Sequence, residues 1–85
     1  MDQHKTISIS VKLHPSLGQY KPTDADSLKF DRKIAEETTV LKLLSILSIP
    51  DETIKMISLN DKLVKKSATL SDGDRLILFS TIAGG

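Results

Sequence analysis

The residues with the clearest chemical potential stand at the end of the chain, where Gly84 and Gly85 follow an apolar run at 76–82. Glycine has no Cβ, so a Gly-Gly end can enter a narrow channel and approach another protein's backbone closely. A terminal carboxylate is a poor electrophile until a second reactant activates it. If this end carries chemistry, the reactive atom is the carboxyl carbon of Gly85. Gly84, Ala83 and Ile82 are then the segment that threads a channel.

The side chains offer much less chemistry than the terminus. Asp72 and Asp74 flank Gly73, a pattern typical of a turn, and no EF-hand loop continues from them. His4 and His14 stand at opposite ends of an extended segment, about 30 Å apart, too far to share a metal ion. The chain has no cysteine, which excludes a disulfide scaffold, a thiolate zinc site and a cysteine nucleophile. We therefore expect no catalytic and no metal-binding residues in this chain.

Length and charge restrict the class of protein further. Eighty-five residues provide room for one small domain. Twelve basic and eleven acidic residues give a net charge of +1, which argues against a nucleic-acid binder because such proteins need many phosphate contacts. No run approaches the roughly 20 apolar residues that span a bilayer, and residues 1–5 lack the apolar stretch of a signal peptide. We expect a cytoplasmic protein with neither nucleic acid nor membrane as a partner.

The first half of the chain predicts two strands separated by a long loop. Residues 6–13 alternate apolar and polar, which places four apolar side chains on one face of a strand. Residues 14–27 contain two prolines and a glycine and predict a loop. That loop is long for so small a domain, so it is functional, mobile or an insertion. Residues 28–34 predict a second strand, antiparallel to the first.

The hydrophobic period then changes to that of a helix. Thr38 or Thr39 can cap its N-terminus. One helical face carries apolar residues spaced at i, i+3, i+4 and i+7, namely Val40, Leu43, Leu44 and Leu47. Pro50 is expected to end the helix, because the residue before a proline avoids the helical region.

The last third predicts a hairpin and a final strand. Short β-type runs on either side of Asn60-Asp61 indicate a hairpin, residues 71–74 indicate a turn, and residues 75–82 predict the last strand. One helix must bury its apolar face against one mixed sheet, with the first and last strands adjacent and parallel at the centre. The prediction is an α+β, β-grasp (ubiquitin-like) fold with four to five strands. It assigns a single domain to residues 1–82 and a flexible tail to 83–85.

The final segment resembles one particular family. Leu70, the Asp-Gly-Asp turn at 72–74, the apolar strand and the Ile-Ala-Gly-Gly ending resemble the C-terminal segment of the ThiS/MoaD family of sulfur carriers in thiamin and molybdopterin biosynthesis. The ending is more similar to ThiS, because MoaD tails usually carry prolines before the last four residues. The length and the 14–27 loop are more similar to MoaD. With the β-grasp pattern, the resemblance extends from Thr6 to Gly85.

The resemblance implies a protein-borne substrate rather than an enzyme, with no cofactor of its own. An E1-like adenylyltransferase of the ThiF/MoeB type would use ATP to adenylate the Gly85 carboxyl group. A sulfurtransferase would supply sulfur for a thiocarboxylate, and a synthase subunit of the thiazole synthase or MoaE type would use it. Two alternatives stay open: a ubiquitin-like modifier that joins lysines through Gly85, and a β-grasp interaction domain whose tail is incidental.

Docking onto such partners needs an apolar surface outside the core. Along the last strand, Leu76 and Leu78 share one face, and Ile77 and Phe79 share the other. Since one helix covers only one face of the sheet, we expect the two leucines to point inward. Ile77 and Phe79, beside Met56, then form a partner-binding surface, because exposed apolar patches commonly mark interfaces.

Overall fold

The computed structural model describes residues 5–80 and contains one mixed sheet covered on one face by one α-helix. The main elements are β1 (Thr6–Leu13), β2 (Lys29–Ala35), α1 (Val40–Ile46), β3 (Met56–Leu59), β4 (Lys62–Leu63) and β5 (Arg75–Phe79). Two short 3₁₀ helices, Pro15–Tyr20 and Asp51–Thr53, lie in the connections. The strands lie side by side in the order β2-β1-β5-β3-β4.

Strand β1 has the predicted bounds and alternates between exposed and buried side chains along its length. It pairs antiparallel with β2 and parallel with β5, so the first and last strands meet inside the sheet as predicted. This arrangement, together with α1 on one face, confirms the β-grasp fold. Within the described part of the chain, no helix is long and apolar enough to cross a membrane.

Helix α1 begins as predicted and ends earlier than predicted. The Thr39 side chain caps the N-terminus by accepting a hydrogen bond from the Lys42 N–H at 3.2 Å. The helix ends at Ile46, so the expectation that Pro50 ends it was wrong. Ser48 adopts a left-handed conformation, with φ of 59°, immediately after the last turn.

The early end of α1 has a clear physical cause. The Ile49 N–H donates to the Leu44 carbonyl at 2.9 Å, and the Ser48 N–H donates to the Ser45 carbonyl at 3.1 Å. These two bonds form a Schellman motif, which satisfies the last helical carbonyls. Ile49 is buried in the core, so burial of this side chain stabilises the reversal. The usual signal for such an ending is glycine, and here a serine takes that position.

The 14–27 connection is packed against the rest of the fold over its first half. Its 3₁₀ helix, Pro15–Tyr20, inserts Leu17 into the core, where the side chain is almost fully buried. The prediction of a loop therefore missed an ordered, core-contacting segment. A lone apolar residue between Pro15 and Gly18 carries no periodic signal that could have indicated it.

Two turns match the sequence pattern, and one strand boundary differs. Asn60 and Asp61 both have positive φ, 53° and 72°, as a two-residue hairpin turn requires. Gly73 has φ of 84° in the turn that leads into β5.

Strand β5 ends at Phe79 rather than at the predicted residue 82, because its neighbours β1 and β3 extend no further along it. Residues 81–85, including the predicted tail boundary, lie outside the described residues.

Candidate functional site

The start of β5 is held by the two aspartates of the Asp-Gly-Asp turn. Asp72 Oδ1 accepts a hydrogen bond from the Ser8 N–H at 2.8 Å. Asp74 is 9% exposed, and its two oxygens accept from the Asn60 side-chain amide at 2.8 Å and the Ser71 N–H at 2.7 Å. The turn therefore ties β5 both to β1 and to the β3–β4 hairpin. These carboxylates position the strand that leads to the C-terminus.

Replacing Asp74 with alanine is expected to lower the free energy of unfolding by about 1–3 kcal/mol, because two hydrogen bonds to a buried carboxylate are lost. Chemical denaturation measures the change. Asp24→Ala is the matched control: its carboxylate pairs with Arg32 at 3.3 Å but is 70% exposed. Such an ion pair contributes about 0–1 kcal/mol. Equal losses in the two variants would contradict the positioning role of Asp74.

Strand β5 separates its side chains as the alternation predicted. Leu76 and Leu78 are buried beneath α1 and belong to the core. Ile77 and Phe79 lie on the opposite, open face of the sheet and are partly exposed. Met56 is directly opposite Phe79 in the antiparallel pairing with β3. The three side chains predicted to form a partner-binding surface are therefore brought together on one face.

A fourth apolar residue on this face was missed from the sequence. Leu63 of β4 is opposite Ser58, which in turn is opposite Ile77, so all three lie on the open face. Leu63 is 70% exposed, the largest value among the large apolar residues that the structure describes. Side chains alternate between the two faces along β3, and continuing this alternation through the Asn60-Asp61 turn would have indicated that Leu63 lies on the open face. We refer to Met56, Leu63, Ile77 and Phe79 as the open-face patch.

Basic side chains flank the open-face patch on the β1 and β2 side. Lys12 is opposite Ile77 in the parallel pairing, and Lys29 is opposite Lys12 on the next strand. Arg75, two residues before Ile77 on the same face, makes an exposed ion pair with Asp61 at 3.1 Å. Asp31, opposite Ser10 on the same face, and Asp61 add acidic groups, so the border of the open-face patch carries charges of both signs.

The far end of β5 brings the chain to its C-terminal segment. The His14 N–H donates to the Leu78 carbonyl at 2.9 Å, and the His14 ring lies 5.8 Å from the Phe79 ring between centroids. Ser80 is the last described residue, and its hydroxyl is hydrogen-bonded to that of Ser16. The proposed reactive carboxyl of Gly85 and the threading residues Ile82, Ala83 and Gly84 lie outside the described residues. Their roles stay predictions.

A family model covers most of the chain, including this end. Residues 17–85 match the model of the ThiS family. The chain belongs to the ThiS family. The match spans the Asp-Gly-Asp turn, β5 and the Gly-Gly terminus of this ThiS-family chain, and it confirms the family resemblance expected from the sequence. The first strand and His14 precede the matched region.

Solved structures of other proteins show the same fold. The Haloferax volcanii HVO 2177 protein superposes with a TM-score of 0.75 at 18% identity, over 100% of this chain and 92% of its own. Small archaeal modifier protein 1 of H. volcanii gives 0.67 at 17% identity, over 89% and 99%. A complex of subunits 1 and 2 of the molybdopterin-converting factor of Helicobacter pylori gives 0.57 at 22% identity, over 93% and 100%. Among curated protein sequences, none matches the chain significantly.

Proposed function

We propose that this ThiS-family protein is a sulfur carrier that works through the carboxyl group of Gly85. The observation that carries the proposal is the family match, which continues through the Gly-Gly terminus. The structure adds that the strand before this terminus, β5, lies between β1 and β3 and is held by ladders on both sides. Such a strand is a rigid base from which a reactive end can be presented to a partner.

The chemistry requires activation by another protein. In the proposed first step, a Gly85 carboxylate oxygen attacks the α-phosphorus of ATP on an E1-like adenylyltransferase, and pyrophosphate leaves. Hydrosulfide supplied by a sulfurtransferase then attacks the acyl carbon, and AMP leaves with the acyl oxygen that it holds. The resulting thiocarboxylate is a strong nucleophile that a synthase subunit can use. In this scheme the carrier binds no cofactor, and the catalytic groups and ATP belong to its cytoplasmic partners.

The open-face patch is the surface that we assign to partner docking. Its four apolar side chains are clustered, and Leu63 in particular is largely exposed, which is costly unless a partner covers it. The H. pylori structure is a complex of two subunits of a molybdopterin-converting factor, in which one chain has this fold. That similarity, at 22% identity, supports a synthase-type partner only through the fold.

Conjugation to other proteins is the second candidate function. A structural relative is a small archaeal modifier protein, and the same activated glycine would serve both functions. The two functions differ in the nucleophile that attacks the acyl adenylate. A sulfur nucleophile makes a thiocarboxylate, whereas a lysine amine makes an isopeptide bond.

Mass spectrometry of the protein isolated from its own host tests the proposal. We expect a fraction in which one carboxyl oxygen of Gly85 is replaced by sulfur, and we expect this fraction to disappear on hydrolysis. Only carboxylate, even after incubation with the host's activating enzyme, ATP and a sulfur source, would refute the carrier function. A Gly-Gly remnant on lysines of other proteins after proteolysis would instead support the modifier.

A further inference from the structure

Strand β2 forms one edge of the sheet, and its outer side has no neighbouring strand among the described residues. Two contacts with β1 fix which groups point to that side. The Leu13 N–H donates to the Leu28 carbonyl at 2.8 Å, and the Glu36 N–H donates to the Lys5 carbonyl at 3.0 Å. In this antiparallel register, the even-numbered residues of β2 bond to β1, and the odd-numbered residues direct their N–H and C=O groups outward.

Side chains of the same protomer already occupy the outward groups near both ends of β2. The Ser27 hydroxyl accepts a hydrogen bond from the Lys29 N–H at 3.2 Å and donates to the Lys29 carbonyl at 3.0 Å. At the other end, the Ala35 carbonyl accepts from the Thr38 hydroxyl at 2.6 Å. These contacts restrict the open part of the edge to the centre of the strand.

The centre of this edge exposes two residues of opposite charge. The outward N–H and C=O groups of Asp31 and Lys33 have no hydrogen-bond partner in the part of the chain that the structure describes. Both side chains are exposed on the open face, and each is opposite an uncharged serine of β1. Neither side chain takes part in the three ion pairs of the described residues. Four backbone groups and two charges are therefore available to a partner.

We propose that this edge pairs with the same edge of a second copy of the chain, antiparallel and centred on Arg32. In this register Asp31 of each copy is opposite Lys33 of the other. Each such pair exchanges two backbone hydrogen bonds, so the outward groups of both residues are all satisfied. The carboxylate of one copy and the ammonium group of the other are then direct cross-strand neighbours. The dimer has a two-fold axis perpendicular to the sheet, and the inference does not depend on the carrier function.

The order of the charges selects this register over the two symmetric registers beside it. A shift in one direction places Asp31 opposite Asp31 of the other copy, and a shift in the other direction places Lys33 opposite Lys33. Like charges directly opposite each other destabilise a strand pair. Charged residues on an edge strand commonly prevent pairing. Here an acidic residue followed two positions later by a basic one makes the edge complementary to itself.

Arg32 is the residue that this register places opposite its own copy. Its partly buried side chain lies on the face of the sheet that α1 covers. Arg32 Nη2 donates to the Asp24 carboxylate at 3.3 Å, and the guanidinium carbon lies 5.3 Å from the centre of the Phe30 ring. Each guanidinium group is therefore held and paired within its own chain, which reduces the repulsion between the two copies.

The proposed dimer leaves the open-face patch uncovered. Strand β1 separates β2 from β5, so five strand-to-strand steps separate the two copies of β5. At about 4.8 Å per step, the two β5 strands lie about 24 Å apart. The two-fold axis keeps both open faces on the same side of the extended sheet. The dimer would thus present two docking surfaces side by side.

Charge reversal tests the proposal by analytical ultracentrifugation. We expect the wild type to form dimers at about 1 mM protein. Asp31→Lys and Lys33→Asp each place like charges opposite each other twice, and each should raise the dimer dissociation constant by about tenfold or more. The double variant Asp31→Lys/Lys33→Asp restores both opposite pairs and should dimerise as the wild type does. An equimolar mixture of the two single variants should form heterodimers for the same reason.

Lys62→Asp is the matched control, because it changes the net charge as Lys33→Asp does and lies exposed on β4, the opposite edge of the sheet. It should leave the dissociation constant unchanged. A monomeric wild type at about 1 mM, a monomeric double variant, or an equal loss in Lys62→Asp would overturn the proposal.

Amide hydrogen exchange locates the contact without any variant. We expect the Asp31 and Lys33 amides to exchange more slowly at high than at low protein concentration. The Lys29 amide, which is already bonded to Ser27, should exchange equally at both. Unchanged exchange at Asp31 and Lys33 would refute pairing through β2. Neither measurement uses the activating enzyme, so a failure of the carrier function would leave both results valid.

Discussion

Removal of Gly84 and Gly85 is expected to abolish ATP–pyrophosphate exchange with the activating enzyme, while the fold and its stability stay unchanged. The truncated chain ends in Ala83, so its carboxyl group lies up to about 7 Å short of the reacting position. The sheet, α1 and the described core are formed by residues 5–80, and the truncation leaves all of these residues in place. Exchange assays and chemical denaturation on the same preparations measure both quantities.

Two matched variants separate the position of the carboxyl group from the need for glycine. One added glycine after Gly85 keeps the Gly-Gly pair but moves the carboxyl by about 3.5 Å, and it should be as inactive as the truncation. Replacement of both glycines by alanine keeps the position but adds two Cβ atoms, and it should reduce exchange through collision with a narrow channel. Normal partner binding and phenotype after truncation would support the alternative of an interaction domain with an incidental tail.

The second large effect is expected when Ile77 and Phe79 are both replaced by alanine. Central apolar anchors of an interface commonly contribute 2 kcal/mol or more, so KM for the carrier should rise by about 30-fold or more. Because the reacting end is untouched, kcat should change little, as expected when an interaction equal in ground and transition states is removed. Steady-state exchange kinetics with varied carrier concentration separate the two parameters.

Helix α1 supplies the control for this prediction. Leu41 and Ile46 are apolar like Ile77 and Phe79 and, at 47% and 52%, are more exposed than these two partly exposed residues of β5. Their replacement by alanine should leave KM unchanged. An equal rise in KM for the helix variants, or none for the patch variants, would show that partners do not dock on the open face of the sheet.

Local sequence pattern was sufficient to predict most of the fold. It was also sufficient to predict which side chains of β5 lie in the core and which lie on the open face. The alternation in residues 6–13 predicted β1 with its bounds, and Thr39 was one of the two predicted caps of α1. The same alternation placed Leu76 and Leu78 in the core and Ile77 and Phe79 on the open face. These features could be predicted because the period of apolar residues depends on neighbours only a few positions away.

Other features depend on contacts between residues that are distant in the sequence. Ser48 reverses the chain after α1 because Ile49 is buried against the core, and nothing near a serine predicts a left-handed conformation. Leu17 is likewise buried through contacts with core residues that are distant in the sequence.

The Gly-Gly terminus and its family resemblance are properties of the sequence alone, and they suggest the reaction without any coordinates. The tertiary structure shows what surrounds the base of that terminus. It places His14 and Ser16, which the sequence separates from Ser80 by a whole domain, at the end of β5. The physical reason is the parallel pairing of β1 with β5, which brings the residues following both strands to the same edge of the sheet.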